Sequence, residues 1–137
     1  MSMIENKATR AIQRMRAAYD RALSDLNMTS RQLVVLRYFN RNPGAHQGAA
    51  VTETGIDRST LADIMARLDE RGLVNRKRSK DDARANCVFV TAAGNKAVER
   101  ADLIIASADE RLLSGLSPQN CRVLETLLDR IGGEVAA

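Results

Sequence analysis

Between Arg71 and Arg84 the chain carries six bases, Arg71, Arg76, Lys77, Arg78, Lys80 and Arg84, against two acids, Asp81 and Asp82. That segment sums to +4, and so does the whole chain, whose 21 bases and 17 acids leave 15 of each elsewhere. All of the net positive charge is therefore concentrated in 14 residues. Cations packed this closely favour a polyanion, because each one set against a phosphate releases condensed counterions. Gly72-Leu73-Val74 on one side and Val88-Phe89-Val90 on the other have strand character, which places the charge on a hairpin and not on a loose tail. Asp82 and Arg84, two apart, are expected to pair across the tip and aim the guanidinium. An arginine held that way suits the narrow minor groove of duplex DNA, whose negative potential attracts it. The plainer reading is a solubilising turn with a surface ion pair worth under ~1 kcal/mol.

A second set of polar residues precedes the hairpin. In RSTLADIMARLDERG, Leu61, Ile64, Met65 and Leu68 fall at i, i+3, i+4 and i+7, one apolar stripe of a helix from Arg58 to Arg71. With that stripe inward, Ser59, Ala62, Asp63, Ala66 and Arg67 face outward and Thr60 lies at the edge. A helix entering a major groove ~12 Å wide needs slim side chains on its leading face, and these are slim. Arg58, Ser59 and Thr60 stand at the helix start, where backbone N–H groups and the dipole favour phosphate. Ser59 and Thr60 are expected to donate to phosphate or base edges, and Arg67 to reach guanine or phosphate. A solvated face explains this helix alone equally well. Helix and charged hairpin together point to nucleic acid, with Arg58, Ser59, Thr60, Asp63, Arg67, Arg76, Lys77, Arg78, Lys80, Asp82 and Arg84 as candidate contacts.

The elements that position these residues are mostly helical. Ile12, Met15, Tyr19, Leu23 and Leu26 mark a helix over 5–27, with Arg10, Arg14, Arg16 and Arg21 toward water. Thr29 and Gln32 have capping-box spacing and open a second helix, which packs Leu33, Leu36 and Phe39 and stops before Pro43-Gly44. A short helix over 46–54 closes at Gly55, and Asp57 caps the one from Arg58. A short helix, a Gly-containing turn and an amphipathic helix in succession form a helix-turn-helix. Strands over 73–78 and 86–90 turn it into a winged helix. Two more helices follow, over 92–113 with Val98, Ala101, Ile105, Ala108 and Leu112 buried, and from Ser117-Pro118 to Gly132-Gly133 with a stripe of Val123, Leu124, Leu127, Leu128 and Ile131.

The totals agree. A chain of 137 residues with 45% hydrophobic but only 3% aromatic content makes one domain whose core is aliphatic, which favours helix on helix. No run approaches ~18 apolar residues and MSMIENKATR is not a signal peptide, so the cytoplasm is expected and a membrane is not. Cys87 and Cys121, 34 apart, have no metal-like spacing and read as small buried thiols before they read as redox sensors. A single histidine, His46, and the absence of a Gly-rich phosphate loop or nucleophile elbow argue against an enzyme, a metal site or a cofactor.

DRSTLADIMARLDERGLVNR (57–76), the wing pattern Asp82-x-Arg84 and the ending Val90-Thr91-x-x-Gly94 resemble the multiple-antibiotic-resistance regulators, the MarR family. The family has Leu where Val90 stands, and many members have a basic or neutral polar residue where Asp63 stands. An acid there either repels phosphate or accepts from a cytosine amino group. The resemblance runs along essentially the full chain in element order. It implies a mainly α fold, six helices with a small two-stranded wing, in one domain over 1–137. Residues 29–91 would be the DNA-binding lobe, and 1–28 with 92–137 the dimerisation body. It further implies a homodimeric regulator, typically a repressor, on a pseudo-palindromic operator in double-stranded DNA, released by a small ligand or by thiol oxidation. The first 86 residues hold no cysteine of the kind the family's peroxide sensors use there, which favours a ligand, phenolic or otherwise aromatic. Apolar stripes on both flanks of the charged middle fit the dimer, with Ile12, Met15, Tyr19, Leu112, Leu124, Leu127 and Leu128 as candidates. The implied pocket draws on Arg16, Tyr19, Phe39 and His46, although Tyr19 reads as core before it reads as a sensor, and His46 as a hydrogen-bonded structural residue near a helix start before a ligand contact. A winged helix that binds protein and not DNA is the remaining alternative.

Overall fold

The computed structural model describes residues 3–78, 80–81 and 86–133. They form α1 (Met3–Leu23), a single 3-10 turn (Ser24–Leu26), α2 (Ser30–Arg41), α3 (Gln47–Thr54), α4 (Arg58–Glu70), β1 (Val74–Arg78), β2 (Asn86–Val90), α5 (Ala92–Leu112) and α6 (Pro118–Gly132). This is the expected set of six helices and a two-stranded wing. Among the described residues no helix is long and apolar enough to cross a membrane.

The helix starts follow from their caps. Thr29 and Gln32 make both bonds of the capping box, each 3.1 Å. Thr91 accepts from Gly94 N and Ser117 from Asn120 N, and proline follows Ser117 where its missing N–H is not needed. The first helix ends earlier than its apolar spacing suggests. Its last turn tightens at Ser24, and Asn27 takes a left-handed φ of 50° that turns the chain toward α2.

The core lies where α2, α4, the wing and the start of α5 converge. Phe39, Leu36 and Val35 of α2, Leu61, Met65 and Leu68 of α4, and Val74 and Val88 of the wing are fully buried there. The strands are antiparallel in the register Val74↔Val90, Arg76↔Val88, Arg78↔Asn86. Residues 44–46 lie along the outer side of β2: Gly44 N donates to Val88 O at 2.8 Å and Val88 N to Ala45 O at 3.0 Å, with His46 bridged to Cys87.

The wing is strapped to α5. Thr91 N donates to Leu73 O at 3.0 Å, and Thr91 Oγ1 donates to Gly72 O at 2.7 Å. Gly94 completes the strap. A Cβ there would stand 2.2 Å from Leu73 O and 2.6 Å from Val90 Cγ1, so only glycine lets α5 approach this closely. Further along, α1 packs on α5, where Tyr19 donates its hydroxyl hydrogen to Asp109, and Arg37 of α2 pairs with Asp102. Burial, the hydrogen bond to Asp109 and its charge push the Tyr19 phenol up to about 12. The apolar stripe of α6 meets nothing comparable: none of its residues is buried, and Ile131 is 74% exposed.

Candidate nucleic-acid interface

Helix α4 is held by its apolar stripe, with Leu61, Ile64, Met65 and Leu68 buried. Its outer face comes out as the spacing requires. Arg58, Ser59, Ala62, Asp63, Ala66 and Arg67 are exposed and Thr60 is half-buried. Gly55, at φ 69°, closes α3, and Asp57 caps α4 by accepting from Thr60 N, which fixes the angle of the helix-turn-helix.

The hydroxyls beside that cap do not point their hydrogens outward. Ser59 Oγ donates to Asp57 Oδ1 and Thr60 Oγ1 to Asp57 Oδ2, both at 2.9 Å. In the free chain the adjacent carboxylate, and not solvent, takes both hydrogens.

Strand β1 presents Asn75, Arg76, Lys77 and Arg78 to solvent, and Lys80 is exposed beyond it. The cations are not equivalent. Arg76 Nη2 lies 2.8 Å from Asp69 Oδ2 at the end of α4, which leaves the guanidinium partly neutralised. Lys77 Nζ sits 5.3 Å over the Phe89 ring, a contact that steadies the side chain while keeping its charge. Arg71 belongs to the scaffold: its guanidinium donates to Asn27 O at 2.7 Å and Leu26 O at 2.9 Å, tying the end of α4 to the turn after α1. Asp82 and Arg84 lie outside the described residues.

A cavity of about 320 Å³ opens between α1, the start of α2 and the turn before α4, lined among others by Ile12, Met15, Arg16, Tyr19, Val34 and Ile56. Arg16 and Tyr19 are thus brought together, but Phe39 and His46 do not join them. The stripe that carries Leu36 inward carries Phe39 with it into the core, whereas Val34, on the opposite side of α2, reaches the cavity. His46 is exposed at the start of α3, against β2.

Of the candidates for association, Ile12, Leu124, Leu127 and Leu128 are exposed, and Met15, Tyr19 and Leu112 are half-buried. Sequence reasoning passed over Met3, Ile4 and Leu103, each more than 70% exposed. Cys87 and Cys121 are free, half-buried thiols.

Residues 26–85 match the MarR family profile. The transcriptional regulator HosA of Escherichia coli is 33% identical over 115 residues, which cover 84% of this chain and 84% of that one. The chain belongs to the MarR family. Among solved structures, the transcriptional repressor CouR bound to a 23-mer DNA duplex superposes with a TM-score of 0.87 at 28% identity, covering 94% of this chain and 92% of that one. The PcaV transcriptional regulator from Streptomyces coelicolor, in complex with its natural ligand, gives a TM-score of 0.78 at 28% identity over 88% and 87% of the two chains. This MarR-family chain is therefore a winged-helix transcriptional regulator and not an enzyme.

Proposed function

We propose that the protein is a repressor that grips a pseudo-palindromic operator as a homodimer and releases it when a small aromatic ligand fills the cavity beside Arg16 and Tyr19. In this reading residues 29–91 hold the DNA, α4 in the major groove and the wing along the adjacent minor groove, while residues 1–28 and 92–137 pair the two chains. Two-fold pairing would set the α4 helices about one DNA turn, ~34 Å, apart. The observation that carries the proposal is the outer face of α4, small and exposed from Ser59 to Arg67, beside the exposed cations Lys77, Arg78 and Lys80. A protein-docking winged helix has no need of that cationic row. Support for pairing comes from the uncovered stripe of α6. Arg16, at the rim of a largely apolar cavity, suits the carboxylate of an aromatic acid. Such a ligand releases DNA only by binding the unbound arrangement of the pair more tightly than the operator-bound one.

Binding of the purified protein to the DNA upstream of its own gene, across a salt series, tests the DNA reading. Four or five phosphate contacts per subunit predict a slope of log K against log salt of about −7 to −9. A flat response would move the proposal to a protein partner.

A further inference from the structure

The start of α4 differs from the other helix starts. Thr29, Thr91 and Ser117 each use one oxygen to accept one backbone N–H. Asp57 uses both. Its Oδ1 accepts from Thr60 N and Ser59 Oγ, and its Oδ2 accepts from Thr60 Oγ1, all at 2.9 Å. The backbone bond from Thr60 and then the two hydroxyl bonds hold this carboxyl at about 2, so it stays ionised throughout the range in which duplex DNA is bound.

A hydroxyl has one hydrogen. With both hydrogens committed to Asp57, Ser59 and Thr60 offer only lone pairs to anything approaching α4. One turn along, the exposed Asp63 makes no ion pair or hydrogen bond among the described residues, even though Arg67 is a turn away. Between them Ala62 and Ala66 contribute only methyl groups. The middle of the face is a row of acceptors, with the donors Arg58 and Arg67 toward its ends.

We propose that α4 reads the amino-bearing edges of bases, with Asp63 as the specificity-determining residue that accepts from a cytosine N4 in the major groove and Ser59 as a second acceptor beside it. The inference rests on the DNA-binding reading above. Guanine shows the major groove only acceptors, and thymine an acceptor and a methyl group, so neither satisfies a carboxylate. Adenine offers N6 but sets the N7 acceptor next to it, against the second carboxylate oxygen. Cytosine presents its donor alone. The same negative charge is repelled by phosphates wherever no amino group meets it, so Asp63 lowers affinity for unrelated sequence and sharpens the choice of operator. Backbone contacts then fall to Arg58, Arg67 and the wing.

Selection from a randomised duplex library, run with the full-length protein, Asp63→Ala and Asp63→Asn, tests this. The parent is expected to enrich cytosine at one position in each half-site, and exchanging that base pair for T·A weakens its binding about tenfold. In Asp63→Ala the same exchange changes binding by less than about twofold, and Asp63→Asn, which donates as well as accepts, shifts the position toward adenine. Asp63 is exposed and unpaired among the described residues, so both variants should melt as the parent does. Identical motifs with identical penalties in parent and Asp63→Ala would overturn the inference while leaving DNA binding intact. Failure of all three proteins to enrich any motif would overturn the DNA reading, and this inference with it.

Discussion

Truncating Leu127 to alanine asks directly whether the uncovered stripe of α6 seats the proposed homodimer. Leu127 is 47% exposed in the single chain, so about half of its side chain is still available for burial. Burying a whole leucine side chain is worth about 1.5–3 kcal/mol, which leaves about 1 kcal/mol here. A two-fold pair uses the same patch on both subunits, so the loss is counted twice, at about 2 kcal/mol. That corresponds to a dissociation constant about 30-fold weaker. The five apolar residues of the stripe, treated alike, give a gross figure of about 10 kcal/mol per dimer. Association itself costs about 4–15 kcal/mol, so toward the upper end of that range the proposed pair would draw also on the exposed Ile12, Met3 and Ile4 of α1. Leu127→Asp, which would bury two unpaired charges on pairing, is expected to leave a folded monomer. Sedimentation equilibrium over a concentration series measures both variants, with far-ultraviolet circular dichroism to show that the helices persist. A dissociation constant unchanged in both, or a parent that is monomeric at every concentration, would refute the reasoning.

Two further perturbations bear on the scaffold. Gly94→Ala forces a methyl into the carbonyl of Leu73 and is expected to destabilise the chain by about 1–3 kcal/mol; an unchanged melting temperature would show that α5 can back away from the wing. The Tyr19 phenol, raised to about 12, contributes stability that is complete below its ordinary 10 and disappears as pH climbs through about 12. Ultraviolet titration of the Tyr38→Phe variant should find that midpoint, and adding Asp109→Asn should move it only part of the way back, because burial is the largest cause; a midpoint at 10 without the Asp109 change would contradict the packing of α1 on α5.

Much of this was legible because its causes are local. The cap signals at Thr29, Asp57 and Ser117 act within three residues, and the stripe of α4 follows from a fixed helical period. The β1–β2 pairing was legible from apolar runs around a polar turn. What sequence missed depends on neighbours remote in the chain or on competition between close ones. Arg71 and Arg76 count equally in a charge sum, yet one meets the carbonyls of Leu26 and Asn27 and the other Asp69. Ser59 and Thr60 were expected to donate outward, and nothing in their types reveals that Asp57 takes both hydrogens. Phe39 was placed in the pocket and Val34 overlooked because the cavity is defined by three elements meeting, and a helix stripe says which side is inward without saying what lies opposite. The early end of α1 turns on a single backbone angle at Asn27.

The strap at Thr91 and Gly94 makes the wing and α5 one lever. With 21 residues, α5 is about 32 Å long, so a swing of about 5° pivoting on Thr91 carries its far end about 3 Å. In the proposed pair the two levers would work like the legs of a caliper. The gap between the wings would then be set at the distant tips, where α1, α5 and α6 meet their counterparts, and a slight spreading there would be enough to lift both arms out of register with the turn of the duplex.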